Sequence, residues 1–129
     1  MIGVDTNIII RLLTGDDKKQ FQKAEHIFSS EQIFIADTVL LEAEWVLRFA
    51  YKFKPDAIQQ AMTKLLGLEN VHVNNPENLS RVLQLYGKGL DFADAMHLMA
   101  NIQQNTLVTF DKAFIRRATD LTGCRVKEP

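Results

Sequence analysis

Met1-Ile2-Gly3-Val4-Asp5-Thr6-Asn7 is the stretch on which the reading of the whole chain depends. Ile2 and Val4 favour extended backbone, and a polar trio follows them at once. Asp5 therefore falls where a short buried strand ends and a helix begins. Open α/β sheets take their ligands just beyond the carboxyl ends of their strands. An acid in that position leads us to expect a domain that begins with part of its active site.

Outward from Asn7, strand and helix signals alternate. Ile8 to Leu13 continue as a short, largely buried helix ended near Gly15, and Asp16 or Asp17 caps a second helix with Phe21, Ala24, Ile27 and Phe28 on one face. Ile33-Phe34-Ile35 reads as a strand. Asp37 or Thr38 then caps a helix expected to reach about Phe53. On it, Glu44, Arg48 and Lys52 at i, i+4, i+8 form a solvent stripe. Glu42 lies about 200° around from Glu44, among Val39, Trp45, Val46 and Phe49, where a carboxylate is costly unless paired or bound to a cation.

Pro55 opens a fourth helix ended by Gly67, Val71-His72-Val73 is a short strand, and Asn75-Pro76 starts a fifth helix. Asp91-Phe92-Ala93-Asp94-Ala95 opens a nearly all-apolar helix expected to run to about Gln104, with one polar seam of Asp91, Asp94, His97, Asn101 and Gln104. Leu107-Val108-Thr109 is a strand, Asp111 caps a last helix through Ala118, and Arg125-Val126-Lys127 is an edge strand. This alternation argues for one α/β domain, residues 1–129, with a parallel sheet.

Bulk properties narrow the class. Hydrophobic residues at 47% and charged residues at 24% are globular values, which exclude a disordered chain. No apolar run reaches 18 residues, so no membrane partner is expected. One cysteine, Cys124, rules out an internal disulfide and fits a reducing cytoplasm. A net charge of -1 neither advertises nor excludes a nucleic-acid partner, because acids gathered at a metal offset basic residues elsewhere.

Four carboxylates stand out: Asp5 after the first strand, Glu42 on an apolar helix face, Asp94 on the polar seam and Asp111 after the last long strand. In a doubly wound sheet, strand ends and helix starts share one rim, where these groups would converge and repel one another. A divalent metal resolves the repulsion, and an all-oxygen donor set favours Mg²⁺ or Mn²⁺ over Zn²⁺. The competing reading makes Asp5, Asp91 and Asp111 plain helix caps, each worth about 1 kcal/mol. His26, His72 and His97 show no ligand spacing, and no glycine-rich phosphate loop is present. Arg11 and the cluster Lys112, Arg116 and Arg117 are solvated charge or, beside a metal site, contacts to RNA phosphates.

These blocks resemble a known family. Asp5-Thr6-Asn7, Glu42 ahead of Trp45-Val46-Leu47-Arg48, Asp91-Phe92-Ala93-Asp94 and Val108-Thr109-Phe110-Asp111 look like PIN-domain nucleases, more narrowly the VapC-type toxins of toxin–antitoxin pairs. The resemblance covers the whole chain and implies a Rossmann-like fold: a short, mostly parallel central sheet of about five strands flanked by helices. It implies a Mg²⁺- or Mn²⁺-dependent endoribonuclease, a homodimer, and inhibition by a cognate antitoxin. Asp5, Glu42, Asp94 and Asp111 match the family's acidic quartet, which implies the metal ligands and catalytic groups. Thr6, Asn7, Asp91 and Thr109 match supporting positions. The rival reading is a non-catalytic PIN-fold module that assembles with a protein partner. A phosphoacceptor receiver domain fits less well, because Thr6 is no acid and Lys112 follows Asp111 rather than standing alone after the strand.

Overall fold

Asp5 does close a strand and open a helix. β1 (Ile2–Gly3) leads through Val4 and Asp5 into α1 (Thr6–Thr14). The structure, a computed structural model, describes residues 1–129, with seven helices alternating with five short strands. All five strands pair in parallel, as the alternation predicts, but in two sets: three strands in one sheet and two in another. The chain divides into two compact units, Met1–Pro76 and Glu77–Pro129.

In the first unit, α2 (Lys18–Ser30) leads to β2 (Ile33–Phe34), and α3 (Asp37–Phe49) and α4 (Pro55–Leu66) lead to β3 (Val71–His72). The order is β1-β2-β3, with Gly3 opposite Phe34 and Phe34 opposite His72. Parallel strands cannot be joined by tight turns, and each crossover here uses two helices. Several boundaries follow their sequence signals. Gly15 takes the left-handed conformation (φ 64°) and its N–H donates to the Arg11 carbonyl, ending α1. Asp17 caps α2 through the Gln20 N–H at 3.0 Å, and Pro55 occupies the first turn of α4. The cap of α3 is Ala36, without a side-chain bond, so Asp37 sits in the first turn rather than capping it.

Helix α3 corrects the sequence reading most. It ends at Phe49, and Lys52 adopts a left-handed conformation (φ 59°) that a continuing helix excludes. Its buried face is Leu40, Ala43, Glu44 and Leu47, with Glu44 only 2% exposed. The expected solvent stripe is thus part of the packed side. Arg48 answers the buried carboxylate from one turn away, donating from Nε to Oε2 at 2.8 Å and from Nη2 to Oε1 at 3.3 Å. Glu42 is exposed, so the desolvation cost expected of it falls on Glu44 instead. Trp45 and Phe49, expected inside, are 57% and 46% exposed and meet at a tilt of 44° with centroids 5.0 Å apart, with the Arg48 guanidinium 4.5 Å over the Phe49 ring.

The second unit holds α5 (Pro76–Gly87, whose first residue belongs to the preceding unit), α6 (Phe92–Ala100), β4 (Thr106–Val108), α7 (Lys112–Ala118) and β5 (Arg125–Lys127). β4, α7 and β5 make one parallel β-α-β turn of chain, with Leu107 opposite Val126. α6 ends at Ala100, short of the expected Gln104. Asn101 closes the helix: its backbone N–H donates to the His97 and Leu98 carbonyls at 3.2 and 3.1 Å, and its side-chain amide adds a second bond to the His97 carbonyl at 2.9 Å. Phe92 is fully buried and meets Tyr86 of α5 edge to face, centroids 5.3 Å apart. It anchors α6 between Asp91 and Asp94.

Candidate active site

In the first unit the acids come from the carboxyl ends of neighbouring parallel strands. Asp5 follows β1, and Glu42 lies on α3, which follows β2. They share a cavity of about 320 Å³, lined also by Thr6, Asn7, Ile10, Arg11, Val46 and Tyr51. Asp5 caps α1, with Oδ1 accepting the Thr6 N–H at 2.7 Å, while its other oxygen has no protein partner. The Thr6 hydroxyl is buried on the cavity wall without any hydrogen bond. A buried hydroxyl left unpaired costs about 1–3 kcal/mol, so a bound group or water that meets it gains accordingly.

Arg11 does not point freely at a ligand. Its Nε donates to Gln20 at 2.6 Å and its Nη1 to Asp16 at 3.4 Å and to the Tyr51 hydroxyl at 3.2 Å. Tyr51 in turn donates to Asp16 Oδ2 at 2.6 Å. Tyr51 is a cavity residue that nothing in its sequence context singles out. Its hydroxyl is the chief cause of a lowered Asp16 pKa, with the Thr14 hydroxyl and the Arg11 charge adding to it. A carboxyl with a depressed folded-state pKa contributes stability above its unfolded value of about 3.9, and that contribution fades as pH falls through the lower folded value. In Tyr51→Phe, Asp16 is expected to titrate at higher pH than in the wild type, as followed by its carboxyl carbon resonance. An unmoved titration would mean that the hydroxyl does not hold Asp16.

In the second unit, the charges of Asp91 and Asp111 both bear on Asp94. Asp91 caps α6, accepting the Asp94 N–H at 3.2 Å, and Asp111 caps α7, accepting the Phe114 N–H at 3.0 Å. The Thr109 hydroxyl accepts the Asp111 N–H at 3.1 Å and steadies the turn after β4. The cap reading therefore holds for Asp5, Asp91 and Asp111, and for Asp5 and Asp111 it uses one carboxylate oxygen and leaves the other without a protein partner. Asp94 caps nothing. Burial, then the negative charges of Asp91 and Asp111, push its carboxyl above its ordinary pKa, against weaker opposition from His97 and Arg117. Of the two adjacent arginines, Arg117 reaches Asp94 electrostatically whereas Arg116 lines a different cavity. The sequence could not separate them.

No three or more His, Cys, Asp or Glu side chains gather into a group that could hold a metal ion. The donor chemistry nevertheless fits a hard divalent cation. Every candidate group is a carboxylate, two have an oxygen without a protein partner, and Asp94 sits in excess negative charge.

Residues 2–120 match the model of the PIN domain. The chain belongs to the PIN domain family. The match runs through both units and includes Asp5, Glu42, Asp94 and Asp111. No curated protein matches the sequence. PIN domains are typically metal-dependent nucleases that bind RNA and often protein partners. No helix of this PIN domain is long and apolar enough to cross a membrane.

Proposed function

We propose that this PIN domain is a Mg²⁺- or Mn²⁺-dependent endoribonuclease that hydrolyses RNA phosphodiesters, with Asp5, Glu42, Asp94 and Asp111 as its catalytic and metal-holding acids. The observation that carries the reading is Asp94, a part-buried carboxylate pressed by Asp91 and Asp111 and used for no structural bond. Acids so placed destabilise a metal-free protein, and ligand binding gives them a use. A bound divalent ion supplies charge neutralisation at the phosphate and lowers the pKa of the attacking water.

The protein's own groups divide the remaining work. Asp5 in the first unit and Asp94 in the second are each assigned as a direct metal ligand, and Glu42, exposed at the cavity of the first unit, as a ligand or the group that orients the water. Asp111 offers its second oxygen from a position steadied by Thr109. Thr6 and Asn7 line the first cavity, and Asp91 fixes the start of α6. Hydrolysis adds hydroxide to phosphorus and a proton to the departing sugar oxygen, so two proton transfers must be accommodated near these acids.

The same reading makes the chain the toxin of a type II toxin–antitoxin pair: cytoplasmic, homodimeric, and inhibited by a cognate antitoxin. The exposed, adjoining Trp45 and Phe49 support a protein partner, because large aromatics of this kind are enriched where proteins meet. That pair is equally what a non-catalytic assembly module would need, so activity is the discriminator. A mixed RNA pool incubated with Mg²⁺ should be cut, and EDTA should lower the rate by at least about 10²-fold, since a metal contributes several kcal/mol and 1.36 kcal/mol is a decade. Equal outcomes with and without chelator would leave the assembly module as the better reading.

A further inference from the structure

A larger cavity than the acidic one, about 770 Å³, lies wholly within the second unit between α7, the turn after it, and β5. Its walls carry Lys112 and Arg116 from α7 and Arg125 and Lys127 from β5. Spacings of i, i+4 on a helix and i, i+2 on a strand put each pair on one face. All four are exposed, and none has a carboxylate within 4.0 Å. Only Asp120 and Glu128 oppose them in the lining, which leaves two positive charges in excess in a chain whose net charge is -1. Four unpaired cations facing one cavity repel one another. A polyanion relieves that repulsion.

We propose that this groove binds the phosphodiester backbone of RNA and leads it to Asp111, a proposal that rests on the nuclease reading. Lys112 directly follows Asp111, so a strand lying along the groove ends beside a candidate catalytic acid. Two arginines offer planar forks matched to phosphate oxygens. No aromatic and no methionine lines the cavity. That favours phosphate contacts over base stacking, and RNA over a protein, whose interfaces are built on such anchors. The groove therefore binds without strong sequence preference, and Arg11, engaged by Asp16, Gln20 and Tyr51, takes no part.

The test uses the full chain in EDTA, where cleavage plays no part, and reads the fluorescence anisotropy of labelled oligouridylate and oligoadenylate. Arg125→Gln/Lys127→Gln is expected to weaken binding of both at least about 10-fold near 0.1 M salt. It should also flatten the plot of log affinity against log salt by about 1.4, at about 0.7 for each lost phosphate contact. Arg116→Gln should move both readouts in the same direction. Lys18→Gln/Lys19→Gln on α2 should leave them unchanged, and melting curves establish that each variant is folded. Wild-type affinity and salt slope in the folded groove variants would overturn the proposal, as would equal weakening by the α2 control. Failure of the nuclease reading shows separately, as absence of Mg²⁺-dependent cleavage.

Discussion

Asp94→Asn is expected to lower Mg²⁺-dependent RNA cleavage at least about 10²-fold while leaving the protein folded. The substitution removes a charge and keeps the shape. The contact that shapes the start of α6 uses the Asp94 backbone N–H, donated to Asp91, and survives the change. Stability should move the opposite way from activity. Asp94 has a raised pKa because burial and its acidic neighbours disfavour the ionised form. A group of that kind costs stability as pH rises from its unfolded towards its folded value, and the full cost persists above it. At neutral pH without metal, the Asn variant should therefore melt no lower than the wild type. Mn²⁺ should raise the melting temperature of the wild type more than that of the variant, because binding to the native state alone adds RT ln(1 + [L]/Kd). Wild-type cleavage by the variant would remove Asp94 from the site.

The largest structural effect is expected from Phe92→Ala. Phe92 is fully buried, and truncating a buried phenylalanine costs about 3–5 kcal/mol through lost transfer energy and the cavity left behind. Loss of the edge-to-face contact with Tyr86 belongs to that cost. Against a total stability of about 5–15 kcal/mol, this is a large fraction. The melting temperature followed by far-ultraviolet circular dichroism should fall by at least about 10 °C, and Phe92→Leu should recover much of the loss. Because Phe92 sits between Asp91 and Asp94, any folded Phe92→Ala protein should also cleave RNA more slowly. A loss below about 1 kcal/mol would mean that the ring is not part of a packed core.

Much of the local structure was legible from short-range chemistry. The caps at Asp17, Asp91 and Asp111, the prolines at Pro55 and Pro76 and the left-handed stop at Gly15 follow from which residues satisfy free backbone groups at helix ends. The family, too, was readable from four short blocks of residues, and the PIN domain model matches residues 2–120, the range in which they lie. Asp94 stood out because it lies on the single polar seam of an apolar helix. Glu42 stood out for a reason that the structure removes, since its face of α3 is the exposed one. Tyr51 carried no signal, because it matters only through groups distant in sequence, and Arg117 was legible only as one of three clustered cations, not as the one that acts on Asp94.

The amino-acid sequence by itself determined the order and type of the elements, most of their ends, and the acids placed at strand ends and helix starts. These depend on contacts within a few residues. The tertiary structure alone decided which side of α3 is buried. That helix has apolar residues around most of its circumference, so its own periodicity defines no unique inward face. Packing chose Leu40, Ala43, Glu44 and Leu47, and Arg48 made the buried carboxylate tolerable. Tertiary structure also decided how five parallel strands divide between two sheets and which cations are left unpaired around one groove. Strand pairing and charge pairing join residues far apart in the chain, and local sequence does not encode which distant partner arrives.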